Sequence, residues 1–487
     1  MAVDYDLVII GGTPAGRYAA VAATQLRATV ALVEPPKEQS ATSGLGLLDH
    51  LTPHATIQIA KMVQQLSDVG QFGIHYGNNC EISIRWAEAM QWAEGVVSNL
   101  EDQNSPAVLA SLGVDVIVGN GQFERQPYLA FAVNSRRLRA RAYLIATGSR
   151  PAIPDIEGLQ TTGYLTAPEI WQPLTSEKPP NSWVIVGGDP TGCQLAQTLT
   201  RLGYSVTLVA RRSHILAKED PDIAQLIQAI LEAEGVRVLT ATPVTQIKQI
   251  QDKKWVQAGD KAIETDEILL AAGQTPNVES LNLEAVGVKS HRRRLVINEK
   301  LQTTNPRIYA CGDVIGGYQF ANIANYEARI ALKNALFFPV FKVDYRSIPW
   351  ALFSDPQLAQ VGLTEAQAKR RYTHDVVVLR QYFKTVAAAQ LRVETIGVCK
   401  LVVLRNGEIL GATLVGAQAG ELINVIALAI SQKLKVSAIA KLAPVYPSLS
   451  EIIEQTAAAW NQQRLGSNTH LQNFLEGFFN FHRAWSN

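Results

Sequence analysis

The feature that most limits what this chain can become occurs twice. Residues 5–10, Tyr-Asp-Leu-Val-Ile-Ile, are a short apolar run of the kind buried on both faces of a parallel sheet. Gly11-Gly12-Thr13-Pro14-Ala15-Gly16 follows, then a small-residue helix predicted from Tyr18 to Leu26. A second apolar strand, Thr29 to Val33, ends in Glu34. The same order returns as a strand at Trp183 to Val186, the turn Gly187-Gly188-Asp189-Pro190-Thr191-Gly192, a helix from Cys193 to Leu202 and a strand from Tyr204 to Val209. Strand, glycine turn, helix and strand make a βαβ unit, which commits a chain to a parallel sheet covered by helices. Two such units predict an α/β protein with two Rossmann-like domains.

A glycine turn that opens a helix gathers backbone N–H groups and the positive end of the helix dipole, which suits a pyrophosphate. Glu34 stands at the spacing of the acid that accepts hydrogen bonds from a ribose in a dinucleotide fingerprint. The candidate cofactor residues are therefore Gly11, Gly12, Thr13, Pro14, Ala15, Gly16 and Glu34 in the first unit, and Gly187, Gly188 and Gly192 in the second. Thr13 replaces the middle glycine, and its Cβ is expected to crowd the pyrophosphate path. Asp189 puts a carboxylate at the same point of the second turn. The second unit ends in Ala210-Arg211-Arg212 instead of an acid. Guanidinium groups in place of a carboxylate favour a 2′-phosphate, hence NADP, with NAD as the alternative. Two turns suggest two nucleotides, a flavin and a nicotinamide.

At 487 residues the chain is long enough for about three domains. With 47% hydrophobic and 18% charged residues it can bury a core. Its 44 basic and 43 acidic residues leave a net charge of +1, without the basic excess of a nucleic-acid binder. Arg292-Arg293-Arg294 reads as a solvated turn. Cys80, Cys193, Cys311 and Cys399 are widely spaced, so no local metal knuckle or disulfide framework is expected, and no metal site. Cys193, Cys311 and Cys399 read as buried small hydrophobes. No secretory leader and no run of membrane-span length is evident, so the expected setting is cytoplasmic.

Further motifs stand in order along the chain: Ala146-Thr147-Gly148-Ser149, Ile153-Pro154 to Leu159, Ala272-Gly273-Gln274-Thr275-Pro276-Asn277, Ile308-Tyr309-Ala310-Cys311-Gly312-Asp313, Phe353-Ser354-Asp355-Pro356 and Tyr446-Pro447. Together they resemble the class I pyridine nucleotide–disulfide oxidoreductases, which include dihydrolipoamide dehydrogenase, glutathione reductase and mercuric reductase. The resemblance runs from about residue 5 to 458. It implies an FAD-binding domain in two pieces, 1–150 and 273–343, with an NAD(P)-binding domain, 151–272, between them. An α+β dimerisation domain, 344–460, would follow and build a homodimer, leaving a tail at 461–487. The resemblance also assigns Asp313, with Gly312, Thr147 and Gly148, to FAD, and Glu34 to its adenosine ribose.

The departures bear on function. Such enzymes carry a C-x-x-x-x-C pair after the first βαβ unit, whereas here no cysteine precedes Cys80. The pair aligns with Leu45 and His50. The family's catalytic histidine, in a His-Pro motif, aligns with Tyr446; its partner acid is retained as Glu451. A tyrosine is a poor base near neutral pH. A family lysine aligns with His54 and a family glutamate with Gln194. His50 and His54 lie four apart, on one face of a helix. They read as polar lining, as a flavin-facing proton donor or acceptor at His50, or, with Asp49, as metal ligands.

The candidate catalytic residues are thus His50, Tyr446 and Glu451. The reading is an FAD-dependent NAD(P)H oxidoreductase that passes electrons from reduced flavin straight to a small-molecule acceptor, a quinone, a metal ion or oxygen, without a dithiol relay. The alternative is an FAD-binding regulatory or partner protein that does not turn over. A third is the disulfide reductase or dihydrolipoamide dehydrogenase activity that the resemblance alone implies. In the tail, Leu471, Phe474, Leu475, Phe478, His482 and Trp485 recur at helical spacing. This predicts an amphipathic aromatic helix for packing on its own dimer, a protein partner or a membrane surface.

Overall fold

The computed structural model describes residues 3–36, 47–75, 83–102, 105–291, 294–467 and 469–485, with side chains except at 47–52, 467 and 471. The elements that matter for function are, in chain order, β1 (Tyr5–Ile10), α1 (Pro14–Gln25), β2 (Val30–Glu34), α2 (Leu47–Asp68), β3 (Val114–Val118), β4 (Ala140–Ile145), β5 (Leu165–Thr166), β6 (Ser182–Val186), α3 (Pro190–Arg201), β7 (Ser205–Val209), β8 (Arg237–Leu239), β9 (Glu267–Leu270), β10 (Ile308–Ala310), α4 (Ala321–Leu336), β11 (Trp350–Leu352), β12 (Gln357–Gly362), β13 (Val376–Tyr382), β14 (Val398–Leu404), β15 (Ile409–Gly416), α5 (Ala419–Ser431), α6 (Glu451–Ser467) and α7 (Thr469–Trp485).

Two five-stranded sheets are wholly parallel. The first has the order β10-β4-β1-β2-β3, with Leu7 opposite Val30 and Ala142. The second has the order β8-β7-β6-β9-β5. Each βαβ unit read in the sequence sits at the middle of its sheet. Alternation along β1 explains why its apolar run is continuous. Leu7 and Ile9 enter one core with Ala19, Ala20 and Ala23 of α1, while Val8 and Ile10 enter another with Phe123, Phe131 and Tyr143. Both faces are buried, as parallel sheets require.

The helices after the turns begin earlier than the spacing predicts. The first starts at Pro14 rather than Tyr18, and the second at Pro190 rather than Cys193. Thr13 and Asp189 are extended N-cap residues (ψ 163° and 171°), and each is followed by a proline at the first helical position. Proline has no N–H to leave unpaired there, and its fixed φ suits the helix.

The chain divides into two compact units, residues 1–217 with 224–343, and residues 218–223 with 344–487. The first holds both parallel sheets. The second is built on an antiparallel sheet, β11-β12-β15-β14-β13, whose core takes in Leu379, Cys399, Leu401, Leu414, Ile423 and Ile452.

The segment 218–223 is charged, yet Glu219, Asp220 and Ile223 within it are buried. Lys400 of β14 is fully buried; its Nζ lies 2.9 Å from Asp220 and 2.9 Å from Asp222, with Glu365 at 3.5 Å. Asp220 also accepts the backbone N–H groups of Glu365 (2.9 Å) and Ala366 (3.0 Å). Glu219 beside it is 8% exposed. Burial, reinforced by the charge of Asp220, pushes its carboxyl up to about 8. Neutral Glu219 can give its proton to the amide oxygen of Gln360; an ionised one needs that amide turned nitrogen-inward. In the unfolded chain a glutamate titrates near 4.3, so across the interval up to about 8 the folded state holds the extra proton. The favourable contribution is therefore complete below the unfolded value and is lost as pH rises through the folded one. A Glu219→Gln protein is expected to gain on the parent as pH rises from 5 to 8, by at most about 1.4 kcal/mol per unit. Urea unfolding at both pH values measures this; a difference that does not change with pH would reject it.

Candidate functional site

The two glycine turns repeat one geometry. Gly11 has φ +114°, and a Cβ there would lie 2.2 Å from the carbonyl oxygen of Ala146. Gly187 has φ +127°, and its Cβ would lie 2.0 Å from that of Ala271. The third glycines lean on the first: a Cβ at Gly16 would meet Gly11 O at 2.1 Å, and one at Gly192 would meet Gly187 O at 2.0 Å. Each helix is thereby packed directly onto the turn that launches it, with its first N–H groups at the carboxyl end of a parallel sheet. Open α/β sheets bind ligands in such places.

The middle residue of the first turn is engaged with the turn itself. The Thr13 hydroxyl donates to Ala146 O at 2.8 Å and accepts from Gly16 N–H at 3.3 Å. The Thr13 side chain thus caps α1 and ties the turn to the residue that follows β4. Asp189 is exposed, and its carboxylate makes no capping hydrogen bond to α3.

The turns differ in what their second glycine faces. A Cβ at Gly12 would meet the Glu34 carboxyl at 2.6 Å, whereas one at Gly188 would meet Ala210 Cβ at 2.8 Å. Ala210 thus stands where the first site has its acid, and exposed Arg211 and Arg212 follow it. Glu34 is 7% exposed and is held in a two-pronged pair by Arg17, Nε to Oε1 at 3.0 Å and Nη2 to Oε2 at 3.1 Å. Sequence reasoning missed Arg17. Its one signal was a cation in the first turn of the helix, where the dipole disfavours it unless an anion is near.

The remaining FAD candidates converge on the first turn. Thr147 Oγ donates to Asn277 O at 2.7 Å, and Asn277 returns a bond to Thr147 O at 3.1 Å. Ser149 Oγ donates to Asp313 at 2.9 Å. Gly312 (φ +76°) gives its N–H to buried Glu327 at 2.7 Å, and a Cβ there would lie 3.2 Å from Ala324 and 3.9 Å from Ala15. Ser149 and Asn277 stood in quoted motifs without a role and Glu327 was missed, since their contacts join distant parts of the chain rather than a local motif. Gln194 Nε2 and Asn325 Oδ1 are buried without a hydrogen-bond partner. Buried polar atoms in native proteins are nearly always satisfied, so these two are suited to a polar ligand. A glycine cradle, an acid beside it and the unsatisfied Asn325 Oδ1 on α4, which packs against α1, fit an FAD in the first site. The second cradle lacks that acid and is followed by two exposed arginines.

The candidate catalytic residues are divided between the two units. His50 lies on α2, which packs against α3. Its side chain, with Leu45 and Cys80, falls outside the described residues. His54 is exposed on the same helix. In the second unit Tyr446 is 75% exposed, and Glu451 accepts the N–H of Ser448 at 2.9 Å. Cys193, Cys311 and Cys399 are all buried, as their surroundings in the sequence predict. Burial raises all three thiols, Cys399 to about 12.

Comparison with known proteins places this geometry. Residues 5–328 match the pyridine nucleotide-disulphide oxidoreductase family, and residues 348–457 match its dimerisation domain. The chain is 31% identical to a mercuric reductase of Staphylococcus aureus over 466 residues, covering 94% of this chain and 83% of that protein. It is 30% identical to a dihydrolipoyl dehydrogenase of Bacillus subtilis, covering 92% and 97%. Among solved structures, LpdA of Mycobacterium tuberculosis aligns with a TM-score of 0.83 at 26% identity, covering 93% of this chain and 99% of that one. The Cu(II) complex of the HOCl-induced flavoprotein disulfide reductase RclA of Escherichia coli aligns with a TM-score of 0.80 at 26% identity, covering 94% and 100%. Paired glycine cradles, an acid in the first alone and a C-terminal dimerisation domain therefore have one explanation: the chain belongs to the pyridine nucleotide-disulphide oxidoreductase family, flavoproteins that use FAD and NAD(P)H.

Proposed function

We propose that this protein is an FAD-dependent NADPH oxidoreductase that delivers electrons to its acceptor without a dithiol relay. The observation that carries the reading is the placement of sulfur. No cysteine precedes Cys80, and the three cysteines whose structure is described are buried thiols with raised pKa values. A thiol must be a thiolate to act as a nucleophile, and these are held protonated. Bound FAD would supply the redox chemistry, accepting hydride from the nicotinamide and releasing electrons to a quinone, a metal ion or oxygen. Similarity to mercuric reductases and to a Cu(II)-bound relative favours a metal ion among these.

In this reading the chain's residues bind and orient. The first turn, Glu34 with Arg17, Thr147, Gly148, Gly312 and Asp313 hold FAD, drawn from 1–150 and 273–343. The second turn with Arg211 and Arg212 holds NADPH within 151–272. Residues 344–460 build the homodimer, with Tyr446 facing the acceptor and Glu451 fixing the Ser448 turn. His50 serves as the proton donor near the flavin.

The test is anaerobic mixing of the yellow protein with NADPH and then NADH while the visible flavin band is followed. Rapid bleaching by NADPH supports the reading; none with either nucleotide rejects it. The latter result would favour a non-enzymatic flavoprotein, a reading supported by the exposed carboxylate of Asp189 and by the missing family cysteine pair and histidine. Robust turnover of lipoamide or glutathione disulfide would overturn the missing relay. An Arg211→Ala, Arg212→Ala protein should need roughly tenfold to hundredfold more NADPH for half-maximal reduction, with NADH little changed. This follows from charge-assisted hydrogen bonds being worth about 1.5–3 kcal/mol. Equal losses for both nucleotides would remove the phosphate assignment.

A further inference from the structure

Helix α7 follows α6, which begins inside the dimerisation domain. Among its described side chains only Leu475 is other than exposed, and Phe474, Phe478, Phe479, Phe481 and Trp485 are 45–79% exposed. Leaving five large aromatic side chains in water needs an explanation. The spacing supplies one. Leu471, Phe474, Phe478, Phe481 and Trp485 follow one another at intervals of three and four, the a and d positions of two heptads. Along this stripe Phe474 stacks on Phe478, with centroids 6.5 Å apart, and Phe481 lies tilted against Trp485, with centroids 5.3 Å apart.

The flanks suit a second helix. The e and g positions are Leu475, Gly477, His482 and Ala484, so no carboxylate, lysine or arginine borders the seam, and glycine and alanine allow close approach. Glu476 and Arg483 fall at the outer f positions. A membrane-surface helix would instead have a polar face rich in lysine and arginine. The polar face here holds one acid and one arginine among Gln472, Asn473 and Asn480.

We propose that the stripe is covered by α7 of a second copy of this chain, forming a short two-helix coiled coil appended to the dimer. The inference rests on the homodimer assigned through the dimerisation domain. Two heptads alone are too short to pair in water, since isolated helices below about 12–15 residues are marginal. Tethering two copies through one dimer raises their effective concentration to roughly millimolar, which removes that obstacle.

The test uses the full-length chain in a Cys80→Ser background. Phe478→Cys at the seam and Glu476→Cys at the outer face are treated with a short bismaleimide whose reach matches packed helices, roughly 8–10 Å between axes. Cross-linking between chains should be about tenfold or more faster at the seam, and a further Phe474→Asp change should abolish that advantage. Equal rates at the two positions would overturn the proposal. So would Phe474-dependent sedimentation of the unmodified chain with neutral or anionic phosphatidylcholine–phosphatidylglycerol vesicles, which would make a lipid surface the occupant. Sedimentation velocity of a chain ending at residue 467 separates the premises. If that chain is a dimer and the rates are equal, pairing of α7 fails while the dimerisation domain stands. If it is a monomer and the rates are equal, the homodimer itself fails.

Discussion

A Gly11→Ala protein should be recovered colourless, with its urea midpoint sharply lowered. The added Cβ would lie 2.2 Å from Ala146 O and 2.7 Å from Thr147 Cα, both backbone atoms that cannot swing aside. The backbone at φ +114° is also one that a side chain resists. Left-handed strain costs about 1–2 kcal/mol and overpacking about 1–3. Together they consume a large share of a typical stability of roughly 5–15 kcal/mol. The absorbance ratio of flavin to protein and a denaturation curve measure both effects. Gly12→Ala is the informative comparison, because the atoms nearest its Cβ belong to the Glu34 side chain, the first at 2.6 Å, rather than to the backbone. That protein should fold and bind flavin more weakly. Gly187→Ala, with its clash at Ala271 O, should keep flavin but lose bleaching by NADPH. If Gly11→Ala purified yellow at parental stability, the geometry of the first cradle would be wrong.

Lys400→Met should destabilise the protein by about 3–5 kcal/mol, the usual cost of removing one partner from a buried ion pair. Lys400 is wholly enclosed, and the side chain of Asp220 is only 5% exposed, so the carboxylate left behind could not reach water without opening the unit. Asp222→Asn should cost no more than about 1 kcal/mol, because that side chain is 52% exposed and solvent screens its charge. Equal losses for the two variants, read by urea unfolding at neutral pH, would show that charge burial is not what holds this cluster.

The βαβ units were legible because their signals are local. Glycines, a following proline and an apolar run specify strand, turn and helix within about thirty residues. The aromatic stripe of α7 was legible for the same reason. What was not legible depends on partners far along the chain. Thr13 could either fill the turn or cap the helix, and the choice is made by Ala146 O across the sheet. Arg17 and Glu34 lie on different elements, with no helical or strand periodicity to link them. Lys218-Glu219-Asp220-Pro221-Asp222 has the composition of a solvated loop, and the buried charge of Asp220 within it is matched by a lysine 180 positions away.

That last segment bears on how the protein can be divided. A cut after Val343 looks natural from the chain order, but a fragment starting at Asp344 would lack residues 218–223 and carry Lys400 with neither aspartate. The C-terminal unit is therefore not a portable module. Grafting it onto another enzyme, or exchanging it between relatives, requires transferring the upstream hexapeptide as well, so the two stretches are expected to be inherited together.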